Sequence, residues 1–264
     1  MAKKDELAVI DTQNLQVVPA ADDLATIMGE LQDMGTLPYG RIQIGAAGAG
    51  IFQVTEPGED EPVVATEVTA VVILNHRTNV LWLSKFGTVE DRTPDCMSFD
   101  GEEGIDRETG EIRKCEQCAY NKFGSADGGT SRGKACKNTR RLYLMRPSDV
   151  FPSMLTLPST ALSTFDKYRT KVMLSKNKLH GVVTKITLKK ASNKDGIAYS
   201  TPIFEIVGVL PADEAQRVKQ YADAFQSAMS HSAVYEEPSG SVAAPTYTPP
   251  AAVTDDDADE LPFD

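Results

Sequence analysis

The chain has 264 residues, of which 41% are hydrophobic and 25% charged, and its formal net charge is -11. This length and apolar content suffice for one large domain, or for one medium domain with appendages. The sequence contains no apolar run of signal-peptide or membrane-span length, so we expect a cytoplasmic protein without a membrane partner. In such a reducing compartment, the four cysteines favour metal ligation over disulfide formation.

The charges are sorted along the chain, and the acidic total conceals this. Residues 113–194 contain 18 Lys and Arg against 4 Asp and Glu, which gives a net charge of +14. Residues 1–95 carry a net charge of -9, and residues 232–264 contain 8 acidic residues and no Lys or Arg. Because a block of one sign creates its own local field, the central segment indicates an anionic ligand.

Apolar periodicity outlines the first half of the chain. Apolar residues recur every three or four positions between 20 and 34, which predicts a short amphipathic helix. The Gly- and Ala-rich residues 41–52 and the acidic turn that follows predict a loop with one short strand at most. The Val-, Ile- and Leu-rich runs at 63–74 and 80–86 predict two paired strands, joined by a turn around residues 75–79.

The second half ends in a hairpin, a helix and a polar tail. Residues 180–188 alternate between apolar and basic positions, and residues 197–210 form another β-branched run, so we expect a long hairpin. Pro202 predicts a bulge or an edge position. Pro211 and the carboxylates after it predict a helix over about residues 211–230. Residues 232–264 contain five prolines and no basic residue, which predicts a disordered linker with an acidic tip.

The cysteines have the spacing of a metal site. Cys96, Cys115, Cys118 and Cys136 are arranged as C-x18-C-x2-C-x17-C. A C-x2-C knuckle brings two thiolates to one ion, and two further sulfurs complete the tetrahedron that zinc favours. We therefore predict a structural Zn²⁺ in a module of about residues 96–136, with an iron–sulfur cluster or four ordinary thiols as alternatives. A closed shell of four thiolates leaves no position for catalysis.

The central block also has the composition of a surface that binds single-stranded nucleic acid. Such binding needs cations along the backbone path and aromatic rings on which bases stack, although any one ring is either stacked or part of the core. The Gly-rich residues 128–135 carry two of the cations in a basic loop. The predicted DNA contacts are Trp82, Phe86, Tyr120, Phe123, Arg132, Lys134, Lys137, Arg140, Arg141, Tyr143, Tyr168, Arg169, Lys171, Lys176, Lys178, Lys185, Lys189 and Tyr199.

The last residues of the sequence carry a resemblance to a known family. An acidic run with an apolar triplet is formed by Asp255, Asp256, Asp257, Asp259, Glu260, Leu261, Pro262 and Phe263. Together with a β-rich basic core and a Pro-rich linker, this ending resembles the replicative single-stranded DNA-binding proteins of bacteria and their phages. Bacterial members typically end in an acidic run closed by Ile-Pro-Phe, whereas here Asp264 follows the phenylalanine. The zinc insertion looks more like certain phage versions.

The resemblance implies a fold and a function. The expected fold is mainly β with a few helices, an antiparallel barrel of the oligonucleotide-binding (OB) type with an inserted zinc loop, in a domain spanning residues 1–231. The expected function is non-catalytic, sequence-independent coating of single-stranded DNA during replication, recombination or repair in a bacterium or a phage-infected cell. The acidic tail would recruit a polymerase, helicase or nuclease.

Two further functions stay open, and the charge pattern adds a hypothesis. A zinc-ribbon adaptor in transcription or recombination would bind duplex DNA or a protein, and a metal-dependent nuclease would use the plentiful carboxylates of the first 95 residues. The three histidines show no catalytic spacing, so we expect no enzyme. The blocks of opposite charge suggest that the tail occupies the DNA-binding groove until phosphates displace it.

Overall fold

The structure is a computed structural model that describes residues 11–12, 15–20, 23, 26–27, 29–30, 33, 37–83, 94–126, 133–147, 149–192, 196 and 198–231. Its strands are β1 (Gly40–Ile44), β2 (Phe52–Thr55), β3 (Val63–Ala65), β4 (Glu67–Leu81), β5 (Cys96–Ser98), β6 (Glu103–Asp106), β7 (Ile112–Lys114), β8 (Lys137–Met145), β9 (Ser153–Leu157), β10 (Val182–Ser192) and β11 (Ala198–Val209). The helices are α1 (Leu162–Leu174) and α2 (Ala212–His231), with short 3₁₀ turns at Ala119–Asn121, Ser159–Ala161 and Leu179–Gly181. The predicted mainly β class with a few helices is confirmed.

All eleven strands belong to one mixed sheet. Its order is β3-β2-β1-β9-β8-β4-β5-β6-β7. Strand β10 pairs with β4 on the same edge as β5, and β11 lies beyond β10. The pair β1–β9 is parallel, and the other ladders are antiparallel. Strand β4 holds the sheet together, because β8 covers one edge while β10 and β5 share the other edge.

The sheet is not closed into a barrel, so the predicted closed antiparallel barrel is not formed by the ladders of the described residues. The turn between β1 and β2 does approach β11, where the Gly50 N–H donates to Ser200 Oγ at 3.1 Å. Positive φ angles at Ala47, Gly48 and Gly50 take this turn out of the extended conformation. It therefore meets β11 through a side chain instead of a strand ladder.

The prediction of two strands joined by a turn at residues 75–79 is wrong, because β4 is one continuous strand through these residues. The chain runs straight through this polar stretch, because its side chains find partners on β8. Thr78 Oγ1 lies 2.6 Å from Thr139 Oγ1, and the Asn138 side-chain amide donates to Asn79 Oδ1 at 2.6 Å. Two strands, β1 and β2, also lie where one at most was expected.

One hydrophobic core lies between the sheet and α2. Tyr143 and Val71 from the sheet pack with Val218, Tyr221 and Phe225 of the helix. The predicted C-terminal helix is confirmed, with Asp213 and Glu214 in its first turn. The carboxylate of Glu214 is buried and accepts the Val17 N–H at 2.7 Å, which ties the N-terminal segment to the start of α2.

A second core lies on the other face of the sheet, under α1. This helix buries Phe165, Tyr168 and Val172 against strand residues that include Ile186 and Phe204. The sequence analysis did not predict α1, because the basic residues of 162–174 were assigned to a DNA surface. The apolar spacing of three and four residues was the signal for a helix.

The predicted hairpin is confirmed as β10 and β11. Pro202 lies on β11 and pairs with Leu188 of β10. The other edge of β11 has no ladder within the described residues, so the predicted edge position is correct. The register shift of this hairpin falls at Val183/Thr184 instead of at the proline. In the predicted helix of residues 20–34, the described positions are helical, and Ile27 packs on the first core. No helix among the described residues is long and apolar enough to span a membrane.

Candidate metal centre and nucleic-acid interface

The four predicted metal ligands line one small cavity. Cys96 begins β5, Cys115 follows β7, Cys118 precedes a 3₁₀ turn and Cys136 precedes β8. All four border the same cavity of about 20 Å³, and none forms a disulfide. This volume holds one water-sized particle. Four separate segments of the chain therefore converge on a space suited to a single ion.

Backbone contacts hold the segments around this cavity. The Cys136 N–H donates to the Tyr120 carbonyl at 2.9 Å, and the Asn121 side-chain amide donates to the Cys115 carbonyl at 2.8 Å. A Cβ atom on Gly104 would lie 2.9 Å from Cys96 Sγ and 3.6 Å from Cys115 Sγ. A side chain at residue 104 would thus push the Cys96 thiol aside, which explains the glycine.

The thiols act on one another electrostatically. Burial raises the pKa of Cys136 to about 12, and the other three cysteines act in the same direction. Burial also raises the pKa of Cys96, with further contributions from Cys115 and Cys118. No group of three or more His, Cys, Asp or Glu in the described residues is drawn together tightly enough to hold a metal ion as it stands. The four cysteines therefore share a cavity that could receive a metal ion, but their sulfur atoms are not assembled into a coordination sphere.

Two of the predicted base-stacking rings belong to the cores. Tyr143 is 2% exposed, and its ring centroid lies 5.3 Å from that of Phe225. Tyr168 is 4% exposed, and its hydroxyl lies 2.6 Å from Thr184 Oγ1, while burial raises its pKa to about 12. The prediction that these two rings stack on bases is wrong, because neither faces solvent.

Three other predicted rings are exposed near the cysteines. Phe123 is 83% exposed, Trp82 43% and Tyr120 38%. Trp82 follows β4 directly after Leu81, which pairs with Cys96, and the other two rings lie between Cys118 and Cys136. Large exposed aromatic side chains are uncommon on a soluble surface. These three exposed rings are therefore candidates for contact with another molecule.

Cations accompany these rings. Lys134 Nζ lies 4.9 Å from the Phe123 ring centroid and donates to Asn121 and Asn138, at 3.2 and 3.0 Å. Lys137 is exposed and donates to the Lys134 carbonyl at 3.0 Å. We call this group, Trp82, Tyr120, Phe123, Lys134 and Lys137, the aromatic platform. Neither lysine forms an ion pair with a carboxylate of the described residues.

The remaining predicted contacts are spread over the molecule. Lys185 is neutralised by Glu67 at 2.6 Å, and Arg169 pairs with Asp166 at 3.4 Å. Tyr199 is half-buried on β11, beside the β1–β2 turn. Exposed lysines without an ion pair among the described residues are Lys171, Lys176, Lys178 and Lys189. Phe86, Arg132 and the acidic tail, Asp255 to Phe263, lie outside the described residues.

Two predicted arginines are buried where β4 and β8 pair. Arg141 stands opposite His76, and its guanidinium carbon lies 5.4 Å from the Phe99 ring centroid. Arg140 stands opposite Arg77, a residue that the sequence analysis missed. Arg77 was overlooked because residues 75–79 were assigned to a turn, whereas the continuous strand places it beside the basic block.

No protein family, curated protein or solved structure compared with this chain matches it.

Proposed function

We propose that this chain is a sequence-independent single-stranded DNA-binding protein that protects strands in replication, recombination or repair. The observation that carries the proposal is the aromatic platform, in which exposed rings stand beside lysines that form no ion pair with a carboxylate of the described residues. Rings that accept any base and cations that follow the backbone are the two requirements for binding single strands without sequence preference. The +14 charge of residues 113–194 supports the same ligand.

A structural Zn²⁺ belongs to this proposal. Its ligands would be Cys96, Cys115, Cys118 and Cys136, since all four line a cavity of single-ion size. When bound, the metal would supply cross-linking and no catalysis, because four thiolates complete its coordination. The segment from Cys118 to Cys136 carries Tyr120 and Phe123. The cysteines would therefore position two rings of the platform.

The OB-type arrangement is the finer part of the fold proposal. Strands β3, β2, β1, β9, β8, β4, β10 and β11 follow one another in the sheet, and the turn between β1 and β2 approaches β11 through Gly50 and Ser200. The second core lies between one face of this sheet and α1. These contacts support an OB-like sheet that is left open between β3 and β11.

Binding is tested with labelled single-stranded DNA, duplex DNA and RNA of equal length, each titrated over a range of salt concentrations. We expect the single strand to bind most tightly and its affinity to fall steeply with salt, since bound phosphates release counterions. Equal or stronger binding to duplex DNA would favour the zinc-ribbon adaptor instead. Metal-dependent cleavage of the strand would favour the nuclease.

The platform is tested with Phe123→Ala and Trp82→Ala. Each ring that stacks on a base contributes about 1–3 kcal/mol, so each variant should bind at least several-fold more weakly. Ile112→Ala is the matched control, because Ile112 is an exposed apolar side chain of the same module but has no ring to stack. Equal affinities for the three variants would remove the platform from the DNA surface.

The acidic tail is proposed to recruit replication or recombination proteins and to compete with DNA for the basic surface. Removing residues 251–264 deletes the carboxylates and should tighten DNA binding, most strongly at low salt, because attraction between exposed charges is screened by ions. The control variant replaces Leu261 and Phe263 by Ala and keeps the charges. Unchanged or weaker binding after the deletion would end the competition hypothesis.

A further inference from the structure

Three arginines from three elements converge on the face of the sheet that α1 covers. Arg77 of β4 and Arg140 of β8 are directly opposed in the antiparallel ladder, so their side chains leave the same face of the sheet. The guanidinium carbon of Arg140 lies 5.7 Å from the Phe165 ring centroid on α1. Arg169 stands one helical turn after Phe165 on the same face of α1. We call these three residues the arginine cluster.

Arg140 is buried without a full set of acceptors. The residue is 8% exposed, and its Nη1 donates to Asn75 Oδ1 at 2.7 Å. Its Nε is buried and has no hydrogen-bond partner among the described residues. Buried polar atoms are nearly always hydrogen-bonded, and a buried guanidinium without a counter-ion is costly. The site therefore has an unused donor in a place where an acceptor would be stabilising.

The local charge balance is strongly positive. Burial lowers the pKa of Arg140, and so do the charges of Arg169 and Arg77, while Asp166 acts in the opposite direction. Asp166 is the only acidic group that acts on Arg140 within the described residues, and it also pairs with Arg169 at 3.4 Å. Among the described residues, Arg140 and Arg169 thus share one carboxylate, and Arg77 adds a third positive charge beside Arg140. An anion in the cluster would balance this excess and accept the free N–H.

We propose that the arginine cluster of Arg77, Arg140 and Arg169 binds a backbone phosphate of the single strand whose bases stack on the aromatic platform. A phosphate offers several acceptors, and guanidinium groups match its geometry with paired, charge-assisted hydrogen bonds. Asn138 lies two residues before Arg140 on β8, so both side chains leave the same face of the sheet, and Asn138 Oδ1 accepts a hydrogen bond from Lys134 of the platform at 3.0 Å. The cluster therefore lies close enough to hold the same strand, and the inference rests on the proposed DNA binding.

The test compares charge-removing variants at matched positions. Arg77 is exposed and Arg169 partly exposed, so Arg77→Gln and Arg169→Gln remove one charge each without opening the core. Lys167→Gln is the control, because Lys167 is exposed on the same helix but lies away from Phe165 and Arg169. Affinity for a labelled oligothymidylate is measured from low to high salt, with circular dichroism to check the fold.

We expect each arginine variant to bind about tenfold more weakly than the Lys167→Gln control, as befits a lost charge-assisted hydrogen bond. The slope of log affinity against log salt should become shallower by about one for each phosphate contact removed. Arg140→Lys keeps the charge but removes Nε, so it should also bind more weakly than the control while keeping a near-normal slope.

The outcomes separate the two proposals. If the unmodified protein binds single strands and both exposed-arginine variants match Lys167→Gln in affinity and slope, the arginine cluster is not a phosphate site and the proposed function stands. If the unmodified protein does not bind single strands at all, the proposed function fails and the phosphate site fails with it. Weaker binding with a shallower slope for both variants supports the site.

Discussion

The central sheet and the cysteine module, residues 96–136, are stabilised in different ways. The sheet has an apolar core on each face, with Tyr143 and Phe225 on one side and Phe165 on the other. Neither core includes a residue of the cysteine module. The module relies on polar contacts, such as the Asp100 carboxylate that accepts the Glu102 N–H at 2.7 Å. Apolar burial alone therefore explains the sheet but not the module.

Removing the proposed zinc should have the largest effect, and only on the module. Structural zinc contributes about 10–16 kcal/mol to small zinc domains, so Cys136→Ser or a strong chelator should release the ion and unfold residues 96–136. We expect close to one zinc per purified chain, and proteolysis confined to this segment after chelation. Purified protein that contains no zinc, and whose digestion pattern does not change when a chelator is added, would remove the zinc from the proposal.

A core substitution should act on the sheet and spare the module. Phe225 is fully buried on α2, and replacing it by Ala should lower the free energy of unfolding by about 3–5 kcal/mol. The zinc content should not change. Phe123→Ala is the control, since this exposed ring should alter stability by no more than about 0.5 kcal/mol. Urea unfolding measures the free energy of unfolding of both variants. Similar losses of stability in Phe225→Ala and Phe123→Ala would contradict the difference between the sheet and the module.

The stability of the protein should depend on pH through His76, which lies on β4 between the two regions. Burial, followed by the charges of Arg141 and Arg140, lowers its pKa to about 4 from an ordinary value of 6.5. The unfolded chain therefore binds more protons between these values, so stability is highest above pH 6.5 and falls by up to about 1.4 kcal/mol per pH unit toward pH 4. Thermal unfolding over this range measures the slope. His76→Asn should flatten it relative to the unmodified protein, and an equal slope would exclude His76 as the cause.

The smallest expected effect concerns a hydrogen bond between α1 and the sheet. Tyr168→Phe removes the hydroxyl that contacts Thr184 Oγ1 and should cost about 0.5–1.5 kcal/mol. DNA affinity should not change, because the ring is buried. Tyr120→Phe is the matched exposed control and should leave stability unchanged. If Tyr168→Phe lost DNA affinity without losing stability, we would conclude that Tyr168 contacts DNA.

Local patterns predicted part of this fold well. The hairpin of β10 and β11 and the helix α2 follow from period and from turn residues, which act over a few positions. The same reasoning failed at residues 75–79, where polar side chains are typical of a turn but bond instead to β8. It failed again at α1, where basic residues obscured an apolar face. In both places the deciding partners lie far away in the sequence.

The sequence by itself determined the charge blocks, the late hairpin and helix, and the cysteines as one set, because composition and spacing are properties of the chain. Only the tertiary structure decided which rings face solvent, since Tyr143 and Phe123 differ in exposure through their neighbours and not through their chemistry. It also placed Arg77 opposite Arg140. Strand register, which depends on contacts distant in sequence, decides that pairing.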